Sequence, residues 1–199
     1  MGDSYSALLA TGLRRPYAQF SRDSCLLLIT DAKDACSFSN REILAEVRRW
    51  PPQRVILYGA WNGPGYDWRP DALLSSALSS TIRQLREANI EVILVGPTPH
   101  WDPTLPEFVF RAWQATGHLP DRKPMNVDDL HATDNLFRTI ADREQASLYS
   151  IADILCDDDG CLTHTNRSRS ELLAWDHSHF TVEGGAFFDQ QLRIKKITF

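Results

Sequence analysis

The chain has 199 residues, 43% apolar and 24% charged, the balance of a single compact domain with a sizeable core, which excludes disorder as the main state. Its formal net charge of -5, with basic residues clustered no further than pairs such as Arg14-Arg15 and Lys195-Lys196, argues against an extended phosphate-binding face and so against nucleic acid as a partner. The longest apolar runs, Leu26 to Ile29, Val55 to Tyr58 and Val92 to Val95, fall far short of the ~20 residues that cross a bilayer, and no basic stretch leading into an apolar one opens the chain as an export signal would.

In chain order, Gly2-Asp3-Ser4 leads into a first helical pattern from Ser4 or Tyr5, carrying Ala7, Leu8, Leu9 and Leu13. Leu26–Ile29 reads as a strand. Ser39 and Glu42 form a capping box for a helix over Arg41–Arg49, which Pro51-Pro52 closes. A strand over Arg54–Tyr58 follows, then a helix with Pro70 as its first residue and Leu74, Ala77, Leu78, Ile82 and Leu85 on one face. Glu91–Val95 is the next strand. Six of the eleven prolines then fall between Pro97 and Pro124, with Trp101, Phe108, Phe110 and Trp113, and predict a long, stiff, aromatic loop. Leu130, Leu136, Phe137, Ile140 and Ala141 mark another helix, Ser147–Ile151 another strand, and a last helix follows Thr181.

Strands alternating with helical segments predict a parallel sheet with crossover helices, that is, a three-layer α/β/α sandwich of flavodoxin-like plan. Loops leaving the carboxyl ends of such strands line the ligand crevice, so the Pro97–Pro124 segment is expected to form one of its walls.

The four cysteines fall into two local pairs, Cys25 with Cys36 and Cys156 with Cys161. Two readings stand: two short disulfide-closed loops, each contributing ~2–3 kcal/mol and implying an oxidising compartment, or four reduced, partly buried thiols.

Two constellations carry chemistry. A serine at the turn Gly2-Asp3-Ser4 has an exposed hydroxyl and a backbone N–H near the positive end of a helix, where an oxyanion can be held; the plain alternative is a helix cap. In Asp176-His177-Ser178-His179-Phe180-Thr181, Asp176 and His179 are three apart, so one turn brings both side chains to one side and the carboxylate can orient the imidazole. A serine hydroxyl needs such a base to act as a nucleophile at neutral pH. A metal site from Asp157, Asp158, Asp159, His164, Asp176, His177 and His179 has suitable ligand types, but its spacing matches no defined loop. Asn166-Arg167-Ser168 matches a glycosylation sequon by coincidence.

The two constellations together resemble the SGNH family of serine esterases and acyltransferases, whose first motif is Gly-Asp-Ser and whose last is Asp-x-x-His. Val55-Ile56-Leu57-Tyr58-Gly59-Ala60-Trp61 is similar to the family's third block, with tryptophan where most members have asparagine. That variant, the two cysteine pairs and Gly96-Pro97-Thr98-Pro99 resemble the SGNH domain fused to acyltransferase-3 type membrane proteins, which O-acetylate bacterial surface polysaccharides such as lipopolysaccharide. The resemblance implies the SGNH hydrolase fold, disulfides at Cys25/Cys36 and Cys156/Cys161, and a triad of Ser4 as nucleophile, His179 as general acid/base and Asp176 as its orienter. Ser4 N–H is the first oxyanion candidate, with Trp61 at the asparagine position and Asn62 beside it as the others. No metal and no other cofactor is implied.

By the same resemblance the partners are an acyl donor delivered by a membrane acyltransferase domain and a polysaccharide acceptor, at the periplasmic face of the inner membrane. The alternatives are a carbohydrate O-acetyl esterase and a non-catalytic carbohydrate-binding remnant. In this fold the Gly-Asp-Ser turn follows a central strand, whereas only Met1 stands ahead of it here. Four missing apolar side chains at ~1.5–3 kcal/mol each rival the ~5–15 kcal/mol stability of a domain. The chain, residues 1–199, is therefore expected to be a single SGNH-like domain, a fragment of a longer membrane acyltransferase, and marginally stable by itself.

Overall fold

The computed structural model describes residues 1–11, 16–62, 66–166 and 169–194; the predicted helix position of Leu13, the Arg14-Arg15 and Lys195-Lys196 pairs, and Arg167 and Ser168 of the sequon lie outside them. The elements are α1 (Ser4–Ala10), α2 (Ala35–Arg49), β1 (Arg54–Leu57), α3 (Leu73–Glu87), β2 (Glu91–Val95), α4 (Leu105–Thr116), β3 (Arg122–Lys123), α5 (Asp128–Arg143), β4 (Ser147–Tyr149), α6 (Ala152–Leu155), β5 (Cys156–Asp157), β6 (Gly160–Leu162) and α7 (Val182–Ile194).

Strands β1, β2 and β4 form a parallel sheet in that order, with Val55 opposite Val92, Leu57 opposite Leu94 and Val95 opposite Tyr149. Alternation along these strands sends side chains into two cores. Val55, Leu57, Val92 and Leu94 pack with Leu44 and Val47 of α2, Leu78 and Ile82 of α3 and Phe137 of α5. Ile93, Val95 and Tyr149 pack on the other face with Leu9 of α1, Val109 of α4, Leu155 of α6 and Phe188 of α7. Burial on both faces is what continuous Val/Ile/Leu strands require, and it yields the expected three-layer α/β/α sandwich.

Beyond β1, among the described residues, the ladder continues as isolated bridges at Gly2 and Ser21. Gly2 bridges in parallel to both Tyr58 and Ser21. Gly2 N–H donates to Phe20 O at 3.1 Å, Arg22 N–H to Gly2 O at 3.1 Å, and Tyr58 N–H to Met1 O at 3.1 Å. The Met1 amine donates to Ile56 O at 2.7 Å. Beside this short ladder lies a cleft of about 740 Å³, whose walls include Leu9, Tyr17, Phe20, Val55 and Ile56.

Leu26, Leu27 and Leu28 are buried and Ile29 partly so, but the predicted strand is absent. Leu28 N–H turns back to Leu26 O at 2.9 Å, and the Asn40 amide of α2 donates to Leu26 O at 2.8 Å and Leu28 O at 3.0 Å. Side-chain donors here replace a neighbouring strand, so burial alone imitated a strand pattern. Helix α2 begins at Ala35 rather than Arg41, because Asp34 accepts from Ser37 N–H at 2.7 Å and caps it ahead of the Ser39–Glu42 pair. Helix α3 begins at Leu73, so Pro70 precedes it instead of opening it. Strand β4 stops at Tyr149, short of the predicted Ile151.

The Pro97–Pro124 segment is not one loop but holds α4, since Pro106 in the first turn needs no N–H partner, Thr104 caps the start, and Gly117 at φ 73° ends the helix. The second sheet is small and antiparallel, β3-β6-β5. Its β5–β6 hairpin is closed by Cys156–Cys161, while Cys25–Cys36 ties the start of α2 to the segment before it. No free thiol stands among the described residues, which settles the two cysteine readings in favour of disulfides.

Candidate active site

Each residue of the Gly2-Asp3-Ser4 turn has a physical reason to be what it is. Gly2 lies at φ +154°, and a Cβ there would overlap the Tyr58 carbonyl across the ladder. Asp3, 2% exposed, caps α1: its Oδ1 accepts from Tyr5 N–H at 3.0 Å and its Oδ2 from Ala60 N–H at 2.8 Å. One carboxylate thus ties the Ser4 turn to the loop leaving β1. Burial raises the Asp3 pKa against the pull of these donors. Ser4 follows as the first residue of α1, where its backbone N–H has no intrahelical acceptor.

The partners of Ser4 arrive on one tight hairpin. Ala174 bridges Phe180 antiparallel and Trp175 N–H donates to His179 O at 3.0 Å, leaving Asp176 to Ser178 as the turn. Asp176 Oδ1 accepts from Ser178 N–H and His179 N–H, both at 2.8 Å, and Oδ2 accepts from His179 Nδ1 at 2.7 Å. Burial disfavours the Asp176 charge, but the Ser178 and His179 N–H groups and the imidazole outweigh it and hold the carboxyl below its ordinary range. An ionised carboxylate only accepts, so the proton sits on Nδ1 and Nε2 is left as acceptor. His179 Nε2 lies 2.9 Å from Ser4 Oγ. The hydroxyl therefore donates to an imidazole already oriented by a carboxylate, the geometry that activates a serine.

The hairpin is held from outside by α4 and the chain leading into it. Trp101 N–H donates to His177 O at 2.8 Å and Leu105 N–H to Asp176 O at 3.1 Å. His177 Nδ1 donates to Trp101 O at 2.7 Å, which turns this ring away from Ser4. It stacks on His100 with centroids 5.0 Å apart and planes 7° apart, and His100 Nδ1 meets Ser178 Oγ at 3.1 Å. The predicted proline-rich wall thus contacts the site through Trp101 and the start of α4.

Of the oxyanion candidates, the structure leaves Ser4 N–H and takes Trp61 away. The Trp61 backbone N–H donates to Gly59 O at 2.8 Å and its indole N–H to Val95 O at 2.7 Å; it is a core residue with Trp68 and Phe137 against its ring. Asn62 Nδ2 donates to Thr98 O at 2.9 Å, so this amide links the loops after β1 and β2. The proposed metal constellation is dispersed. Asp157 pairs with Arg122 at 2.6 Å, His164 Nδ1 meets Thr163 Oγ1 at 2.7 Å, and among the described residues no group of three or more His, Cys, Asp or Glu side chains could hold a metal ion.

Sequence reasoning missed the aromatic surroundings of the His179 imidazole. The His179 ring lies between Tyr5, at 4.7 Å and 51°, and Trp175, at 5.5 Å and 23°. Trp175 stands directly before Asp176, and its place beside His179 follows from the antiparallel pairing of the hairpin, which no sequence pattern marked.

A serine, histidine and aspartate in this relation, on an α/β/α sandwich, have the arrangement of a candidate serine hydrolase or acyltransferase site. The chain belongs to the family described as SGNH domain (fused to AT3 domains), whose profile matches residues 1–193. Its fold is similar to that of the periplasmic domain of lipopolysaccharide acetyltransferase from Salmonella ser. Paratyphi A: TM-score 0.84, 24% identity, covering 99% of this chain and 82% of that one. It is also similar to a peptidoglycan O-acetylesterase, with TM-score 0.55 and 16% identity over 80% of this chain and 42% of that one. No curated protein sequence matches the chain. Among the described residues no helix is long and apolar enough to cross a membrane.

Proposed function

We propose that the chain transfers an acetyl group to a hydroxyl of a bacterial surface polysaccharide through an acyl-Ser4 intermediate. The observation that carries this reading is the continuous hydrogen-bond path from Ser4 Oγ through His179 to Asp176, at 2.9 and 2.7 Å. His179 Nε2 takes the Ser4 proton as Oγ attacks the acyl carbonyl. The tetrahedral oxyanion is held by Ser4 N–H, and the imidazolium returns its proton to the leaving group. A sugar hydroxyl then attacks acyl-Ser4 while His179 takes its proton, and Ser4 recovers a proton as the ester product leaves. Water in place of the sugar gives hydrolysis by the same steps, so product analysis with a polysaccharide acceptor separates transferase from esterase.

The family's fusion to AT3 domains supports a membrane acyltransferase domain as the source of the acyl group, with this chain as one domain of a longer protein. The two disulfides support an oxidising compartment, which for this function is the periplasmic face of the inner membrane. A fluorophosphonate that labels activated serines tests the chemistry. Labelling is expected at Ser4 in the parent and at least ~100-fold slower in His179→Ala. No labelling of the parent, or equal labelling of the variant, refutes the reading and leaves carbohydrate binding without catalysis.

A further inference from the structure

Trp175 is the side chain next to the reacting atoms for which the fold itself has no evident use. It is 56% exposed, although burying an indole is among the larger apolar gains open to a domain. Its position is nonetheless fixed. The backbone is pinned at Trp175 N–H to His179 O, 3.0 Å, between the buried Ala174 and the capped turn of Asp176. One face meets the His179 imidazole with centroids 5.5 Å apart and planes 23° apart. That separation exceeds the ~3.5–4.0 Å of carbon atoms in direct contact, so the imidazole does not cover the indole, which stays more than half exposed beside it.

An exposed, preorganised indole beside a catalytic base is suited to a ligand that is polar at its rim and apolar on its faces. A pyranose has this build: hydroxyls project around the ring while C–H groups form its faces, and stacking demands no loss of the hydroxyls' hydration. Ordering cost is low because the backbone pins and the imidazole already hold Trp175. We propose that Trp175 is the stacking platform for the pyranose whose hydroxyl, or hydroxyl ester, meets Ser4 and His179; this rests on the acyl-transfer reading for the identity of the reacting group. The indole sets where the sugar ring lies, and the reacting oxygen is the one projecting toward His179 Nε2.

Two measurements test it. Saturation-transfer NMR with methyl α-D-glucopyranoside, methyl α-D-galactopyranoside and methyl α-L-rhamnopyranoside, on the parent and on Ser4→Ala, needs no turnover. At least one glycoside is expected to bind, to shift the Trp175 indole N–H resonance, and to bind about tenfold more weakly in Trp175→Ala, with Trp175→Phe in between. In kinetics, the preference for an O-acetylated methyl glycoside over 4-nitrophenyl acetate is expected to fall about tenfold in Trp175→Ala, mainly through KM. Binding that is equal in the parent, Trp175→Phe and Trp175→Ala overturns the proposal, as does an equal loss of kcat on both substrates, which would make Trp175 a support for His179 alone. Should Trp175→Ala not fold, the indole shift in the parent and the Trp175→Phe affinity decide. A parent that binds the glycoside but is not labelled by fluorophosphonate refutes the acyl-transfer reading and leaves the platform standing.

Discussion

When the domain is produced with Met1 as its first residue, the buried amine there makes its stability depend on pH in a calculable way. Burial, opposed in part by the nearby Asp3 charge, lowers its pKa from 8.0 to about 5. Below pH 5 both folded and unfolded chains carry the ammonium, and the folded state bears the full cost of burying it. Between pH 5 and 8 the unfolded chain holds a proton that the folded chain does not, so stability rises with pH; above 8 both are neutral and the penalty is gone. Three pKa units correspond to ~4 kcal/mol, a large share of a ~5–15 kcal/mol domain stability. Converting the amine to an amide, by acetylation or by adding residues ahead of Met1, preserves an N–H donor for Ile56 O but removes the charge. Urea unfolding of the amine and amide forms from pH 5 to 8.5 should give curves that coincide at the alkaline end and separate by a few kcal/mol at pH 5, the amide form being the more stable. His100 and His164, both lowered by burial, destabilise with acid in the same direction in both forms and cancel in the difference. A difference that stays constant across this range would refute the reasoning.

Asp176→Asn should leave urea stability within about 1 kcal/mol while kcat falls by ~10³-fold or more, because the amide favours the wrong imidazole tautomer; steady-state kinetics on 4-nitrophenyl acetate beside urea melts checks both halves. Gly2→Ala should yield little soluble, folded protein, since the added methyl meets the Tyr58 carbonyl at a φ that L residues rarely adopt; a far-UV spectrum and melt matching the parent would show that the ladder gives way.

What was legible in the sequence was what is local. Gly2-Asp3-Ser4 and Asp176-x-x-His179 each fit within one turn, so residue type and spacing alone carry the geometry, and the α/β/α plan follows from alternation of short apolar runs with amphipathic helices. The Leu26–Ile29 reading went wrong because periodicity reports burial, whereas Asn40, fourteen residues further on from Leu26, decides what the buried carbonyls bond to. Helix α4 was hidden by the prolines around it, of which Pro106 alone lies within it, in the first turn, where its helix-breaking effect vanishes. Trp61 misled for a related reason: a motif position says where a residue stands, not that its N–H groups are already spent on Gly59 and Val95. The place of Trp175 depended on a five-residue hairpin that no pattern marked.

That hairpin divides the site unevenly. Asp176 and His179 share one short loop, clamped to itself and to the approach of α4 by backbone bonds, whereas Ser4 rides on a different element anchored by Asp3. Asp176 and His179 therefore belong to one bonded loop, and the 2.9 Å contact of His179 Nε2 with Ser4 Oγ joins that loop to the element carrying the serine. If the proposed reaction holds, the Ser4–His179 separation is the coordinate to follow when a partner domain or substrate engages.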